Sequence, residues 1–184
     1  MSKSTNLKYY YLEQYLETEV RPYFEKEHHL TSEQFFAIIE WKNPKFGKTK
    51  LTHLKPKDIE KLFKTIYGES REKQLKILVD IKGLKLATAS AILTILYPER
   101  FTVYDVRVRK QLRKRGLWEE EPDDITYCVD VVNRYFDKYL PPIEKLATDS
   151  GLSLRDCDRA LWAQDWHEDL MDFIIAGSSE NNTV

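Results

Sequence analysis

Apolar and aromatic residues return every third or fourth position over most of this 184-residue chain. That is the spacing of amphipathic helices, not the alternation of strands. In the stretch 6–27, NLKYYYLEQYLETEVRPYFEKE, Leu12, Tyr15, Leu16 and Val20 share a face, and Pro22 is expected to kink or end the helix. Thr31, three residues before Gln34, is a capping-box start for a helix to about residue 42. Pro44, Gly47 and Pro56 mark 43–56 as a loop. Helices are predicted over 58–67, closed by Gly68, over 70–80 after Ser70, and over 86–96, with Pro98 beyond. Another runs over 106–115 and stops at Gly116. The stretch 122–140 opens with proline and acids and should end before Pro141 and Pro142. Helices over 153–164 and 165–175 follow, then a disordered tail, 178–184. No strand and no internal repeat is predicted. The expected class is all-α, one domain over 1–177.

Charge changes this picture more than composition does. The net charge is only −1, yet residues 42–116 carry 20 basic and 7 acidic side chains, whereas 117–184 carry 5 and 16. A basic core followed by an acidic helical part can focus positive potential on one surface, which suits a polyanion such as nucleic acid. The other reading of so many lysines is a solvated face. Cys128 and Cys157 lie far apart and without metal-ligand spacing, so neither a zinc site nor an iron–sulfur cluster is expected. No apolar run reaches membrane-spanning length and no signal peptide is recognised. The expectation is an intracellular protein, cytoplasmic, nucleoid-associated or nuclear, without a membrane partner.

The stretch 81–93, IKGLKLATASAIL, concentrates the candidate chemistry. Only 6 glycines occur in the chain, and Gly83 falls between two predicted helices. It can take a positive φ without a Cβ penalty and so let the chain reverse tightly. Ala87, Ala89, Ser90 and Ala91 are small enough to let the helices approach. A turn feeding a helix start directs free N–H groups outward, toward an anion such as phosphate, and Lys82 and Lys85 add charge there. The alternative is an ordinary αα-hairpin.

Leu78 and Ile81, three apart, then Gly83, then Ala89, resemble the helix–hairpin–helix motif, with Lys85 where a second glycine is usual. The following segment, YPERFTVYDVRVRKQLRKRG (97–116), is similar to the one after the hairpin in the helix–hairpin–helix base-excision DNA glycosylases. There a proline-bearing apolar loop delivers an aspartate at the start of a basic helix. The spelling here is Val-Tyr-Asp-Val where the family often reads Val-Asp-x-His-Val. With IIEWK (38–42), the resemblance covers about residues 35–116 and is nearest an uncharacterised glycosylase-like branch.

This resemblance implies a helix–hairpin–helix glycosylase-like bundle that binds duplex DNA and removes a damaged or modified base. Asp105, 22 residues after Gly83, falls on the catalytic aspartate. Lys82, Gly83, Lys85, Arg107, Arg109 and Lys110 become the candidate DNA contacts. Trp41, Lys42 and Tyr104 become the candidate base pocket, with Tyr97 a further candidate by proximity to the motif. The family's Schiff-base lysine position is matched by Ala87, so the implied enzyme is monofunctional. No cofactor is implied, though a monovalent cation at the hairpin is compatible with it. Independently of any family, Asp105 is also a good N-cap for the helix behind it. His28 and His29 have no metal-ligand partner at useful spacing. Trp162, Trp166 and His167 read as packing residues of the last helices. Two rivals stay open: a DNA-binding module on the same scaffold without chemistry, and a protein-interaction domain.

Overall fold

The most apolar segment of the chain is also its centre. In a computed structural model, which describes residues 9, 11–44, 50–119 and 128–180, the helix Leu86–Leu96 is buried from Thr88 to its end. A helix apolar on all sides can only be an interior one. The others pack round it and round each other. We label them α1 (12–27), α2 (Ser32–Lys42), α3 (Pro56–Ile66), α4 (Arg71–Val79), α5 (Leu86–Leu96), α6 (Val106–Lys114), α7 (128–150) and α8 (Leu154–Glu180). No strand occurs among the described residues, so the all-α class holds.

Local chemistry sets most of the boundaries. Thr31 and Gln34 form the reciprocal capping box, with the Thr31 hydroxyl accepting from Gln34 N–H and the Gln34 side chain accepting from Thr31 N–H. Ser70 caps α4 through Lys73 N–H. One contiguous core fills the interior. Phe24, Phe35 and Phe63 meet edge-on or tilted between α1, α2 and α3, while Phe101, Tyr104, Trp118, Tyr135 and Tyr139 stack near α6 and α7. Tyr97 packs edge-on against Phe24.

Three boundaries differ from the sequence reading. Pro22 does not end α1. A π-helical stretch, Leu16–Val20, precedes it and shifts the hydrogen-bond ladder where proline has no N–H to donate. The same device carries α7 through Pro141 and Pro142. The π stretch Arg134–Tyr139 leads into Leu140–Ser150, with proline in its first turn. Residues 153–175, read as two helices, form one rod from Leu154 to Glu180. That rod includes 178–180 of the expected tail; residues 181–184, and 122–127 of the helix expected at 122–140, lie outside the described residues.

The turn between α4 and α5 closes by Leu84 N–H donating to the Ile81 carbonyl, with Gly83 at φ +98°. A Cβ there would also lie 2.9 Å from the Lys50 carbonyl oxygen. Glycine is therefore required twice, by backbone angle and by close approach. The chain at Lys50 leads into a turn of like pattern: Leu54 N–H donates to Leu51, and α3 starts at Pro56 as α5 starts at Leu86. This recurrence lacks a glycine: His53 stands where the later turn has Gly83.

Candidate functional site

Asp105 ends an extended segment, 101–105, whose backbone amides are held by side chains from three helices. Thr102 N–H donates to Tyr135 Oη at 2.8 Å, and the same hydroxyl donates back to the Thr102 carbonyl at 2.7 Å. Tyr104 N–H donates to Ser90 Oγ of α5 at 2.8 Å. Asp105 N–H donates to Tyr139 Oη at 3.2 Å, and Tyr139 donates to the Val103 carbonyl. Val103 N–H is taken by the Asp158 carboxyl. Four consecutive amides that no helix or sheet could serve are thus satisfied individually, as buried backbone demands. Burial pushes the phenols of Tyr135 and Tyr139 above their usual range. They remain neutral donors at physiological pH.

The segment's alternation then sorts its side chains. Val103 and Asp105 face a cavity of about 510 Å³, whereas Tyr104 is not among its walls. Tyr104 is buried instead against Trp118 and Tyr139, with the Arg109 guanidinium 4.8 Å above its ring. The expectation that Tyr104 lines the pocket is corrected by this alternation. Trp41 and Lys42, at the end of α2, do line the cavity with Asp105. Lys42 Nζ lies 2.5 Å from Asp105 Oδ2, and the two side chains are only 18% and 14% exposed. Asp105 Oδ1 accepts from Arg107 N–H at 2.9 Å. Its two roles, cap and cavity carboxylate, are carried by different oxygens.

The opposite wall comes from α8, a contribution the sequence reading missed. Arg155, Asp158, Arg159, Trp162 and Ala163 line the cavity beside Glu13 of α1. The Arg155 guanidinium lies 5.4 Å from the Trp41 ring centroid and joins Asp158 at 2.7 Å and Glu13 at 2.7 Å. Desolvation raises the Asp158 carboxyl to about 6, despite Arg155 beside it. Trp162, taken from the sequence as a packing residue, is half exposed at the cavity with Arg107 against its ring.

The candidate DNA contacts separate into two groups. Lys82 and Lys85 are exposed and flank Gly83 on the turn before α5. Lys85 is the N-cap of α5 and supplies no side-chain acceptor, so the cap leaves the N–H groups of Leu86 and Ala87 without a side-chain partner. Arg107 and Lys110 instead meet the acidic face of α8. Arg107 bonds Asp165 at 2.9 Å and Asp169 at 2.6 Å, and Lys110 bonds Asp169 at 2.8 Å. Lys114 and Gln111 reach Glu168, and these bonds with Gln164 hold its carboxyl down at about 2. The basic helix is thereby largely neutralised within the molecule, and the acidic third both completes the cavity and covers α6.

Among the described residues no group of three His, Cys, Asp or Glu side chains is placed to hold a metal ion, and no helix is long and apolar enough to cross a membrane. Cys157 is a buried free thiol; Cys128 lies where side chains are not described. Comparisons with protein-family models, with curated proteins and with solved structures find no match.

Proposed function

We propose that the protein is a helix–hairpin–helix DNA-binding enzyme that hydrolyses the N-glycosidic bond of a damaged or modified base, with Asp105 as its catalytic carboxylate. One observation carries this reading. A helix-start carboxylate, fixed by four side-chain-held amides, stands in the wall of a cavity bounded by Trp41 and Trp162. Glycosidic cleavage builds positive charge on the sugar, and a fixed anion beside C1′ stabilises that charge or activates the attacking water. The aromatic walls suit a base turned out of its stack. On the outer surface, Gly83 and its flanking lysines suit the sugar–phosphate backbone.

The test uses oligonucleotides carrying alkylated, oxidised or deaminated bases, incubated with protein and then heated in alkali. Strand cleavage should appear for one class of lesion. It should fall about 100-fold or more in Asp105→Asn, with duplex binding retained. Undiminished cleavage by that variant would reduce Asp105 to a helix cap.

A second reading, a protein-interaction domain, draws on a different observation. Beyond Asp165, α8 exposes Trp166, Leu170, Met171 and Phe173. Exposed apolar residues grouped in this way mark partner surfaces. Absence of duplex binding at low salt would favour it.

A further inference from the structure

We propose that Asp158 is a positioning residue of the cavity: through the Val103 amide and the Arg155 guanidinium it holds the candidate catalytic Asp105 and the Trp41 wall in one geometry. The inference rests on the reading of the cavity as a deoxyribose site and adds to that site a residue of α8. Asp158 is 3% exposed and lines the cavity. Val103 N–H donates to its carboxyl, and Val103 stands two residues before Asp105, on the same side of the extended segment. Arg155 Nη1 donates to Asp158 Oδ2 at 2.7 Å, and Arg155 Nη2 donates to Glu13 Oε1 at 2.7 Å. Clamped at both ends, the Arg155 guanidinium lies 5.4 Å from the Trp41 ring centroid. One buried carboxyl thereby joins the segment 101–105 to α8 directly, and to α1 and α2 through Arg155.

Its chemistry differs from that of the segment's other supports. The Thr102, Tyr104 and Asp105 amides donate to the hydroxyls of Tyr135, Ser90 and Tyr139, none of which changes charge near neutral pH. The Val103 amide donates to an ionisable group. Both partners of Asp158 are donors, and only a carboxylate is an acceptor on both oxygens. A carboxylic acid carries an O–H of its own, so protonation turns one donor toward another and ends the ion pair with Arg155. The titratable or charged groups that face Asp158 are Arg155 and Cys157 of α8, Asp105, and Tyr135 and Tyr139 of α7. Glu13 and Lys42 lie one partner further, on Arg155 and Asp105. Arg155 favours the carboxylate, whereas burial and Asp105 favour the acid, and the balance places the change at about 6. On acidification the fold therefore sheds a buried charge while the site loses its clamp.

The experiment uses the whole protein and two duplexes, one with a single sugar replaced by a cationic pyrrolidine and one with an uncharged tetrahydrofuran there, so no knowledge of the excised base is needed. The ratio of the two affinities reads the placement of Asp105, and the tetrahydrofuran affinity alone reads the grip on the DNA backbone. As pH falls from about 7.5 to about 5, the wild-type ratio should drop about 10-fold, the scale of a small misplacement of a reacting group, with its inflection near 6. Asp158→Asn puts an amide, with one acceptor and one donor, where the carboxylate stood. It should melt near wild type and keep the tetrahydrofuran affinity. At the higher pH it should already give the ratio that wild type gives at the lower one, and it should lack the inflection. Asp105 is present in both proteins, so the difference between the two profiles belongs to Asp158. A wild-type ratio with no inflection near 6 would overturn the assignment, and that measurement needs no substitution. So would a ratio and inflection in Asp158→Asn equal to those of wild type, an outcome that leaves the deoxyribose reading standing. Equal affinity of wild type for the two duplexes at the higher pH removes both.

Discussion

At the scale of single residues, Tyr139 shows how a hydroxyl far along the chain sets the position of a carboxylate. It donates to the Val103 carbonyl and accepts from Asp105 N–H, so it fixes both ends of the turn into α6. Tyr139→Phe keeps the ring packing and strands these two groups. Chemical denaturation should show a loss of about 1–3 kcal/mol, the cost of unsatisfied buried polar atoms. Activity through Asp105 should fall more than binding does. Gly83→Ala should also destabilise, by about 2 kcal/mol for the left-handed angle together with the clash at the Lys50 carbonyl. Equal stability of that variant in the same titration would mean the turn relaxes freely.

Asp158 gives a pH signature. Its carboxyl moves from 3.8 to about 6 on folding, chiefly through desolvation. The folded protein thus holds the proton more tightly than the unfolded chain. The contribution of this group favours the fold below the unfolded value and is lost as pH rises through about 6. Carbon-detected NMR of the side-chain carboxyls should find one resonance titrating near 6 that disappears in Asp158→Asn. A full set titrating near 4 would contradict the buried placement.

Between elements, the main tension is the contact of α6 with α8. Arg107, Lys110 and Lys114 are met by Asp165, Glu168 and Asp169, so cations suited to phosphate are spent inside the protein. Asp165 is buried, whereas the pairs to Glu168 and Asp169 are solvent-facing and add little stability. Glu168→Gln with Asp169→Asn should therefore fold normally yet bind duplex DNA more tightly. Its salt dependence should steepen by about one unit of slope for each cation released to a phosphate. Unchanged binding and slope would place α6 away from the DNA path.

The elements also mark how far the sequence could be read. Helix positions were legible because periodicity and caps such as Thr31 and Ser70 are local signals. Pro22 and Pro141–Pro142 misled because π-helical stretches upstream absorb the missing donors, and those have no recognised sequence signature here. Asp105, Lys42 and Trp41 were legible as candidates from their motifs. Their meeting was expected only through the resemblance, since periodicity says nothing of Lys42 and Asp105, 63 residues apart. Trp162 and Asp158 were hidden for the same reason: a helix face reveals that it is buried or exposed, not what it faces. Tyr104 was misplaced by its nearness in sequence to Asp105, since adjacent residues of an extended segment point to opposite sides.

For the whole molecule, the arrangement has one logic. A buried apolar helix, α5, supports at its start a surface turn flanked by lysines, and at Ser90 the segment that delivers Asp105. The outer turn and the inner carboxylate are therefore positioned by one rigid element. The first ten residues of α8 close the far side of the cavity, and its remainder projects apolar residues outward. The central claim is that this cavity receives a deoxyribose and opposes positive charge on it with Asp105. The most direct measurement is duplex affinity with one sugar replaced either by a cationic pyrrolidine or by an uncharged tetrahydrofuran of similar shape. Wild type should prefer the pyrrolidine duplex by about 100-fold, as expected of a transition-state mimic, and Asp105→Asn should erase the preference. Equal affinity of wild type for the two duplexes would contradict the account.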